Sequence, residues 1–185
     1  MEPAGEGSGS TMSYDVFVSH CMAAEDEPIV AALTARLDGQ GIVAYLAERD
    51  PQPGRPLSSK ILERIRRCDL VAVLWTKGGS SSEWVNQEIG AARSAGKPVV
   101  PIVERGVRVK GLLEGIEHVE FDRDNPDGAL ESLEAFLTNK RDAKDAAARE
   151  AEREAERMKE LVLFGIGAAL VIALVIVLAL AARES

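Results

Sequence analysis

The segment Leu70–Trp75 (LVAVLW) is an unbroken run of apolar residues of the length of a β-strand. A strand that is apolar at every position must be buried on both of its faces, as the central strands of parallel sheets are. The chain around it is therefore expected to supply parallel neighbouring strands and helices that cover both faces of the sheet.

Short apolar runs alternate with helical patterns on both sides of this strand, from residue 13 to residue 137. Ile29, Leu33 and Leu37 mark one face of a first helix, which ends near two glycines. Further helices are predicted around 61–65, from about 83 to 95, and near 128–137, and the predicted strands are 14–19, 43–46, 70–75, 99–103 and 119–121. The alternation predicts an α/β domain with a flavodoxin-like, five-stranded parallel sheet.

An open parallel sheet binds ligands at the carboxyl ends of its strands, where the strand order reverses. For the flavodoxin-like order 2-1-3-4-5 the reversal lies between the first and third strands. The residues that follow these strands, 19–26 and 76–88, are therefore the first place to look for a site, with the loop 47–56 expected to close over them.

Charge and composition exclude several classes of protein. The 185-residue chain has a formal net charge of −8 and only 4% aromatic residues, so a basic, aromatic surface for nucleic acid is not expected. Two cysteines, Cys21 and Cys68, cannot form a disulfide scaffold, and neither has a histidine or cysteine at metal-ligand spacing. No metal site is predicted.

The C-terminal part of the chain has a different composition. Residues 161–182 carry no charged or polar side chain, and as a helix they would cover about 33 Å, enough for a bilayer core of about 30 Å. A transmembrane helix is predicted here, in contact with lipid, and a buried core helix is the alternative. Basic residues upstream predict a single-pass protein whose N-terminal domain is cytoplasmic.

The region before this segment is strongly charged. Residues 138–160 hold seven acidic and seven basic side chains and are rich in helix formers, which predicts a solvated helical linker, or stalk. Ala148, Ala151, Ala155 and Met158 could form a short coiled-coil seam, with a monomeric spacer as the alternative. The predicted organisation is thus a disordered tail over 1–12, a domain over 13–137, the stalk over 138–160 and the membrane helix over 161–182.

Four blocks of the domain resemble the Toll/interleukin-1 receptor (TIR) domain family, in its microbial branch. The first strand and the residue after it (YDVFVSH) are similar to the family's first box, and Pro53, Gly54, Arg55 and Pro56 are similar to its BB loop. The third strand, preceded by Cys68 and Asp69, and the later segment SEWVNQE, with a W-x-x-x-E motif, complete the ordered set. The resemblance covers 13–137.

The resemblance implies an enzyme that cleaves NAD⁺ at the nicotinamide–ribose bond, with NAD⁺ as substrate and no cofactor. The glutamate of the W-x-x-x-E motif, here Glu88, would be the catalytic residue, because a carboxylate stabilises the positive charge that develops on the ribose. The residues implied to bind substrate are Trp84, Tyr45, Ser19, His20 and Arg55. Self-association through the BB loop is implied as well, since such sites are completed across neighbouring copies.

Each of these residues also has a plain structural explanation. Glu88 could be a solvent-facing helix residue, Trp84 and Tyr45 could belong to the core, and His20 could cap a loop. The sequence also departs from the family, because Ala47 stands where many members have an acidic residue. Arg49, Arg55 and Lys77 are the local cations that could hold a pyrophosphate.

Two other functions remain open at this point. One is a non-catalytic TIR signalling or scaffold module that acts by TIR–TIR contact. The other is an enzyme similar to nucleoside deoxyribosyltransferases, which share the fold and use a glutamate on ribose. Nicotinamide release and its dependence on Glu88 distinguish the three.

Overall fold

The computed structural model of the protein describes residues 13–47 and 57–181, with the backbone alone at 57–58 and 167–181. The predicted tail 1–12, the last residue of the predicted span, and the BB-loop residues Pro53, Gly54, Arg55 and Pro56 lie outside the described residues. The chain divides into two compact units, Met1–Asp142 and Ala143–Ser185. All strands belong to the first unit.

Five strands form one parallel sheet in the order β2-β1-β3-β4-β5, which confirms the predicted flavodoxin-like α/β fold. The reversal of strand order lies between β1 and β3, where Ser19 pairs in register with Val73. The strands are β1 (Tyr14–Ser19), β2 (Ile42–Tyr45), β3 (Leu70–Trp75), β4 (Val99–Glu104) and β5 (Val119–Phe121).

Four helices connect and cover the strands. Each of the first three lies at a predicted position, because each has an apolar face that packs on the sheet. Helix α3 begins after Ser82, whose hydroxyl accepts a hydrogen bond from the Val85 amide at 3.3 Å. The helices are α1 (Glu27–Asp38), α2 (Leu57–Arg67), α3 (Glu83–Ser94) and α4 (Asp127–Ala181).

The core has two layers, one on each face of the sheet. On one face, Leu33 and Leu37 of α1 pack with Leu133 and Leu137, which lie in the first turns of α4. On the other face, residues of α2 and α3, among them Ile65 and Ile89, cover the sheet. Every side chain of β3 is buried, as expected for a central strand with helices on both sides.

The C-terminal helix corrects the prediction of a membrane span. Among the residues whose side chains are described, no helix is both long enough and apolar enough to cross a bilayer. This finding contradicts the predicted single-pass membrane location, and contact of 161–182 with a lipid bilayer is not supported.

The predicted stalk, residues 138–160, falls within α4. Three of the four positions of the proposed seam, Ala151, Ala155 and Met158, are exposed to solvent. The predicted coiled coil therefore has no support in the structure.

Candidate active site

Glu88 lies on the buried face of α3, not on its solvent face. The buried positions of this helix are Val85, Glu88, Ile89 and Ala92, so the carboxylate interrupts an apolar stripe that packs on the sheet. Only 4% of Glu88 is exposed. A carboxylate in such a position costs free energy unless hydrogen bonds compensate for lost water, so its retention in the core is a sign of function.

Ser19 supplies one of these hydrogen bonds. Its hydroxyl donates to Oε2 of Glu88 at 2.5 Å, and both side chains are buried. Ser19 is the last residue of β1, so the bond joins the carboxyl end of a central strand to the middle of α3. A short bond from a hydroxyl to a carboxylate is stronger than one between neutral groups, and here it also fixes the direction of the carboxylate.

A cavity of about 370 Å³ opens beside Glu88, at the carboxyl end of β1. Its described lining comes from the end of β1 and the loop after it, from the residue just beyond β2, and from α3 and its cap: Val18, His20, Cys21, Met22, Ala47, Ser82, Trp84 and Glu88. The size is that of a small-ligand site. Most of the lining belongs to the segments 19–26 and 76–88, which the topology predicts as the site.

Trp84 lies one helical turn before Glu88 and lines the same cavity. Both residues also line a smaller groove of about 120 Å³ between α2 and α3. Trp84 is 38% exposed, whereas Trp75, the other tryptophan, is completely buried and donates a hydrogen bond to the carbonyl oxygen of Arg108. The two indoles therefore differ in use: Trp75 packs the core, and Trp84 presents an aromatic surface beside the carboxylate.

The structure separates the other predicted site residues. His20 lines the cavity. Ser19 is not among the described lining residues but donates a hydrogen bond to Glu88, which is one of them. Tyr45 is not among the described residues that line the cavity. The centre of its ring lies 4.6 Å from the guanidinium of Arg64 and 5.7 Å from the centre of the Phe17 ring, which is tilted by 33°, so its described contacts are within the fold. Arg55 lies outside the described residues.

The backbone at Ala47, where the sequence departs from the family pattern, is held in place by a hydrogen bond. The ammonium group of Lys60, which is buried in α2, donates to the carbonyl oxygen of Ala47 at 2.9 Å. The side chain of Ala47 lines the cavity. Lys60 thus ties the end of β2 to α2 and fixes this part of the wall.

Sequence reasoning missed a second buried carboxylate near the site. Asp26 is fully buried and accepts hydrogen bonds from Cys21, Thr76 and Arg123. Asp26 and Thr76 fall inside the segments that the topology singled out, but neither belongs to a recognisable motif. Arg123 follows β5, 97 residues from Asp26, and only the fold brings the two together.

Arg123 also pairs with Glu104, the last residue of β4, at 2.7 Å. The hydrogen bond from Arg123 lowers the pKa of Glu104 below its ordinary value, against a smaller opposing effect of burial. Glu104 in turn raises the pKa of Arg123, as does Asp26. Burial, and then the hydrogen bond to Asp26, raise the pKa of Cys21, so this thiol stays protonated at neutral pH.

These parts define the chemistry that the site can perform. It offers a held carboxylate, an exposed aromatic ring and a cavity, a combination that suits a substrate in which positive charge develops next to the carboxylate. Within the described ranges no group of three or more His, Cys, Asp or Glu side chains could hold a metal ion.

Comparisons with known proteins agree with the fold. The model of the TIR domain family matches residues 16–136. A probable 2′ cyclic ADP-D-ribose synthase of Brachypodium distachyon, BdTIR, is 25% identical over 96 residues, which are 52% of this chain and 43% of that protein. The chain thus spans less than half the length of this relative.

Solved structures show the same architecture. The TIR domain of the Toll-related receptor TRR-2 of Hydra magnipapillata superposes with a TM-score of 0.56 at 21% identity, covering 67% of this chain and 98% of that one. A CMP N-glycosidase of Clostridium botulinum, BcmB, superposes with a TM-score of 0.53 at 19% identity, covering 66% and 98%. Since the family model spans well over half of the sequence, the chain belongs to the TIR domain family.

Proposed function

We propose that this chain is a TIR-domain enzyme that cleaves the nicotinamide–ribose bond of NAD⁺, that Glu88 is its catalytic residue and that it is active on self-association. The observation that carries the proposal is the carboxylate of Glu88, buried in an apolar helix face yet lining a cavity of about 370 Å³. The likeness to a probable cyclic ADP-ribose synthase supports the substrate class.

The chemistry needs little more than this carboxylate. In NAD⁺ the nicotinamide nitrogen is cationic, so when its bond to ribose C1′ breaks, the electron pair leaves with a neutral nicotinamide and no acid has to protonate it. The positive charge moves to the ribose as an oxocarbenium-like state, which the negative charge of Glu88 stabilises at short range. Water then adds to C1′ with loss of a proton, or a hydroxyl of the same molecule adds and a cyclic product forms.

Ser19 and Trp84 have separate roles in this proposal. The hydroxyl of Ser19 fixes Oε2 of Glu88, so that the carboxylate does not have to reorganise as charge develops. Trp84 presents an exposed ring at the entrance, where a flat nicotinamide or adenine can stack. Ser19 is therefore assigned to positioning rather than to direct contact with the substrate.

Self-association belongs to the same proposal. The segment that the family resemblance implies for it, Pro53, Gly54, Arg55 and Pro56, follows the end of β2, and Ala47 at that end lines the cavity. Assembly is therefore included as a variable in the test.

The test measures nicotinamide released from NAD⁺ by the full chain, both dilute and fused to a multimerising scaffold. Glu88→Gln keeps the shape of the side chain and its ability to accept from Ser19 but removes the charge, so release should fall by about 100-fold or more. Glu83→Gln, on the exposed first turn of the same helix, is the matched control and should retain wild-type activity.

The outcomes separate the alternatives. If assembled wild-type protein releases no nicotinamide, the enzymatic proposal fails, and the result favours a non-catalytic signalling or scaffold module. If nicotinamide is not released but deoxynucleosides exchange their bases in a Glu88-dependent reaction, the chain is a nucleoside transferase. Product analysis then distinguishes linear from cyclic ADP-ribose.

A further inference from the structure

Asp26, outside the family motifs, is a fully buried carboxylate with three side-chain donors. Oδ2 accepts from the thiol of Cys21 at 2.9 Å and from the hydroxyl of Thr76 at 2.8 Å. Oδ1 accepts from Nη2 of Arg123 at 2.9 Å. Both oxygens thus accept hydrogen bonds, and Arg123 compensates the buried negative charge. The surrounding structure therefore holds this carboxylate in one position.

The donors come from different segments that meet at the carboxyl edge of the sheet. Cys21 belongs to the loop after β1 and lines the cavity, Thr76 directly follows β3, and Arg123 follows β5. The hydroxyl of Thr76 also accepts a hydrogen bond from the amide of Gly79 at 3.0 Å. Asp26 is therefore connected through Thr76 to the turn that leads into α3.

That turn determines where α3 begins. Residues Gly79–Ser81 form a short 3-10 helix, and Ser82, which follows, caps α3 and lines the cavity. The position of α3 in turn sets the positions of Trp84 and Glu88. One wall of the cavity and the helix that carries Glu88 thus both depend on hydrogen bonds that end at Asp26.

The loop after β1 and the turn after β3 are closely packed. A methyl group added at Gly78 would lie 2.9 Å from the sulfur of Cys21, and one added at Gly79 would lie 2.6 Å from the carbonyl oxygen of Leu74. The first contact means that the loop after β1 lies closely against the turn after β3, and the second means that the turn itself folds back tightly on the end of β3. A carboxylate that bonds to both segments can hold them together.

We propose that Asp26 is a positioning residue of the candidate site: it holds the loop after β1 against the turn before α3, and so sets the placement of Glu88 in the cavity. The inference deepens the proposed function and, for catalysis, rests on it. An aspartate is required because an amide has one acceptor oxygen and no charge, so it cannot accept from Arg123 on one side and from Cys21 and Thr76 on the other at the same time.

The test uses Asp26→Asn and the two cysteines of the chain as internal probes. Cys21 contacts Asp26, whereas Cys68 is buried in the core with its thiol donating to the carbonyl oxygen of Ile65. Alkylation by iodoacetamide is followed separately for the two cysteine peptides by mass spectrometry. In Asp26→Asn, Cys21 should react about threefold faster or more when rates are compared per thiolate, from their pH dependence, because the loop that carries it is no longer held against the turn, while Cys68 should keep its wild-type rate.

Asp69→Asn is the matched control. Asp69 accepts a hydrogen bond from the amide of Asp15 at 2.8 Å, at the opposite, amino edge of the sheet. Its loss should leave the rate at Cys21 unchanged even where it lowers thermal stability. Only Cys21 is compared in this variant, because Asp69 is the immediate neighbour of Cys68.

The activity measurement gives the second readout, per folded molecule. Asp26→Asn should lower kcat for nicotinamide release about tenfold or more, because a small misplacement of a catalytic group is costly, and change KM much less. Asp69→Asn should leave both constants at their wild-type values.

Several results would overturn the proposal. These are a rate at Cys21 that does not rise in Asp26→Asn, a rise shared equally by Cys68, or an unchanged kcat in an active enzyme. If the wild-type protein releases no nicotinamide, the proposed function fails by itself, and the two cysteine rates still decide whether Asp26 fixes the cavity wall.

Discussion

The two edges of the same sheet are built differently. At the amino edge, polar side chains bond to backbone groups: Asp69 accepts from the amide of Asp15, and Lys97 donates to the carbonyl oxygen of Cys68 at 2.7 Å. At the carboxyl edge, side chains bond to one another in the interior, as Ser19 does to Glu88 and Thr76 to Asp26. The first pattern closes the ends of strands; the second builds a pocket.

The cost of the two patterns differs as well. Within the described residues of the first unit, the buried polar or charged side chains are Ser19, Asp26, Lys60, Thr76 and Glu88, and each of them lies at the carboxyl edge or bonds to it. Burying a polar side chain costs free energy that a hydrogen bond only partly returns. A fold that needed only stability would have no reason to concentrate this cost at one edge, so the concentration itself indicates function.

Among substitutions that test the difference between the two edges, the largest loss of stability is expected at Gly79. In Gly79→Ala the new methyl group meets the carbonyl oxygen of Leu74 at 2.6 Å, and because that oxygen is backbone, the turn has to move. We expect the free energy of unfolding to fall by about 2–3 kcal/mol in urea denaturation.

The amino edge provides the control for Gly79. Gly96, just before β4, has a positive φ of 67° but open space around it. Because asparagine tolerates this conformation, Gly96→Asn should cost less than about 1 kcal/mol. Equal costs at the two positions would mean that the carboxyl edge is not the more tightly packed one.

A smaller effect is expected when the bond between Ser19 and Glu88 is removed. Ser19→Ala leaves the carboxylate in the apolar stripe without the donor that fixes it, so kcat for nicotinamide release should fall about tenfold. Unfolding free energy should fall by about 1–3 kcal/mol, the cost of a buried polar group that loses a partner.

Lys97→Met is the counterpart of Ser19→Ala at the other edge. It removes the hydrogen bond to the carbonyl oxygen of Cys68, so it should lower unfolding free energy by about 1 kcal/mol and leave kcat unchanged. A loss of kcat in Lys97→Met as large as that in Ser19→Ala would show that activity follows stability alone and would remove the special role of Ser19.

The strands could be predicted because their signals are local, and their order because alternating strands and helices favour the flavodoxin-like layout. Tyr14–Ser19 and Leu70–Trp75 are observed with the predicted bounds, since each is a short run rich in strand-forming residues with clear ends. The second strand was predicted one residue late: it begins at Ile42, which pairs with Tyr14 directly after the positive φ of Gly41. The register of a neighbouring strand, which local pattern does not contain, decides that residue.

The candidate site could be predicted only in part. Topology indicated the segments after β1 and β3, and the family motif singled out Glu88, but the burial of a glutamate in a helix follows from how the helix packs. For Tyr45 the local pattern left two roles open, and the described contacts with Phe17 and Arg64 lie within the fold. The bond between Asp26 and Arg123 joins residues 97 apart, which no spacing in the sequence could indicate.

The smallest predicted effect is a change in how the melting temperature depends on pH in the acid range. Arg123 lowers the pKa of Glu104, so the carboxylate of Glu104 stabilises the fold above its ordinary pKa, and this contribution is lost as pH falls through the lowered value. The melting temperature of the wild-type protein should therefore fall between about pH 5 and pH 3. In Glu104→Gln this fall should be shallower, because the variant has no proton to take up at this position.

Glu120→Gln is the surface control for this measurement. Glu120 pairs with Arg105, and both side chains are more than half exposed, so the pair contributes little to stability. In Glu120→Gln the melting temperature should therefore fall with falling pH as steeply as in the wild type. Thermal unfolding followed by circular dichroism at several pH values measures all three slopes. If Glu104→Gln and Glu120→Gln have the same slope, the ion pair between Arg123 and Glu104 does not stabilise the carboxyl edge, and the edge is held by its uncharged bonds and packing alone.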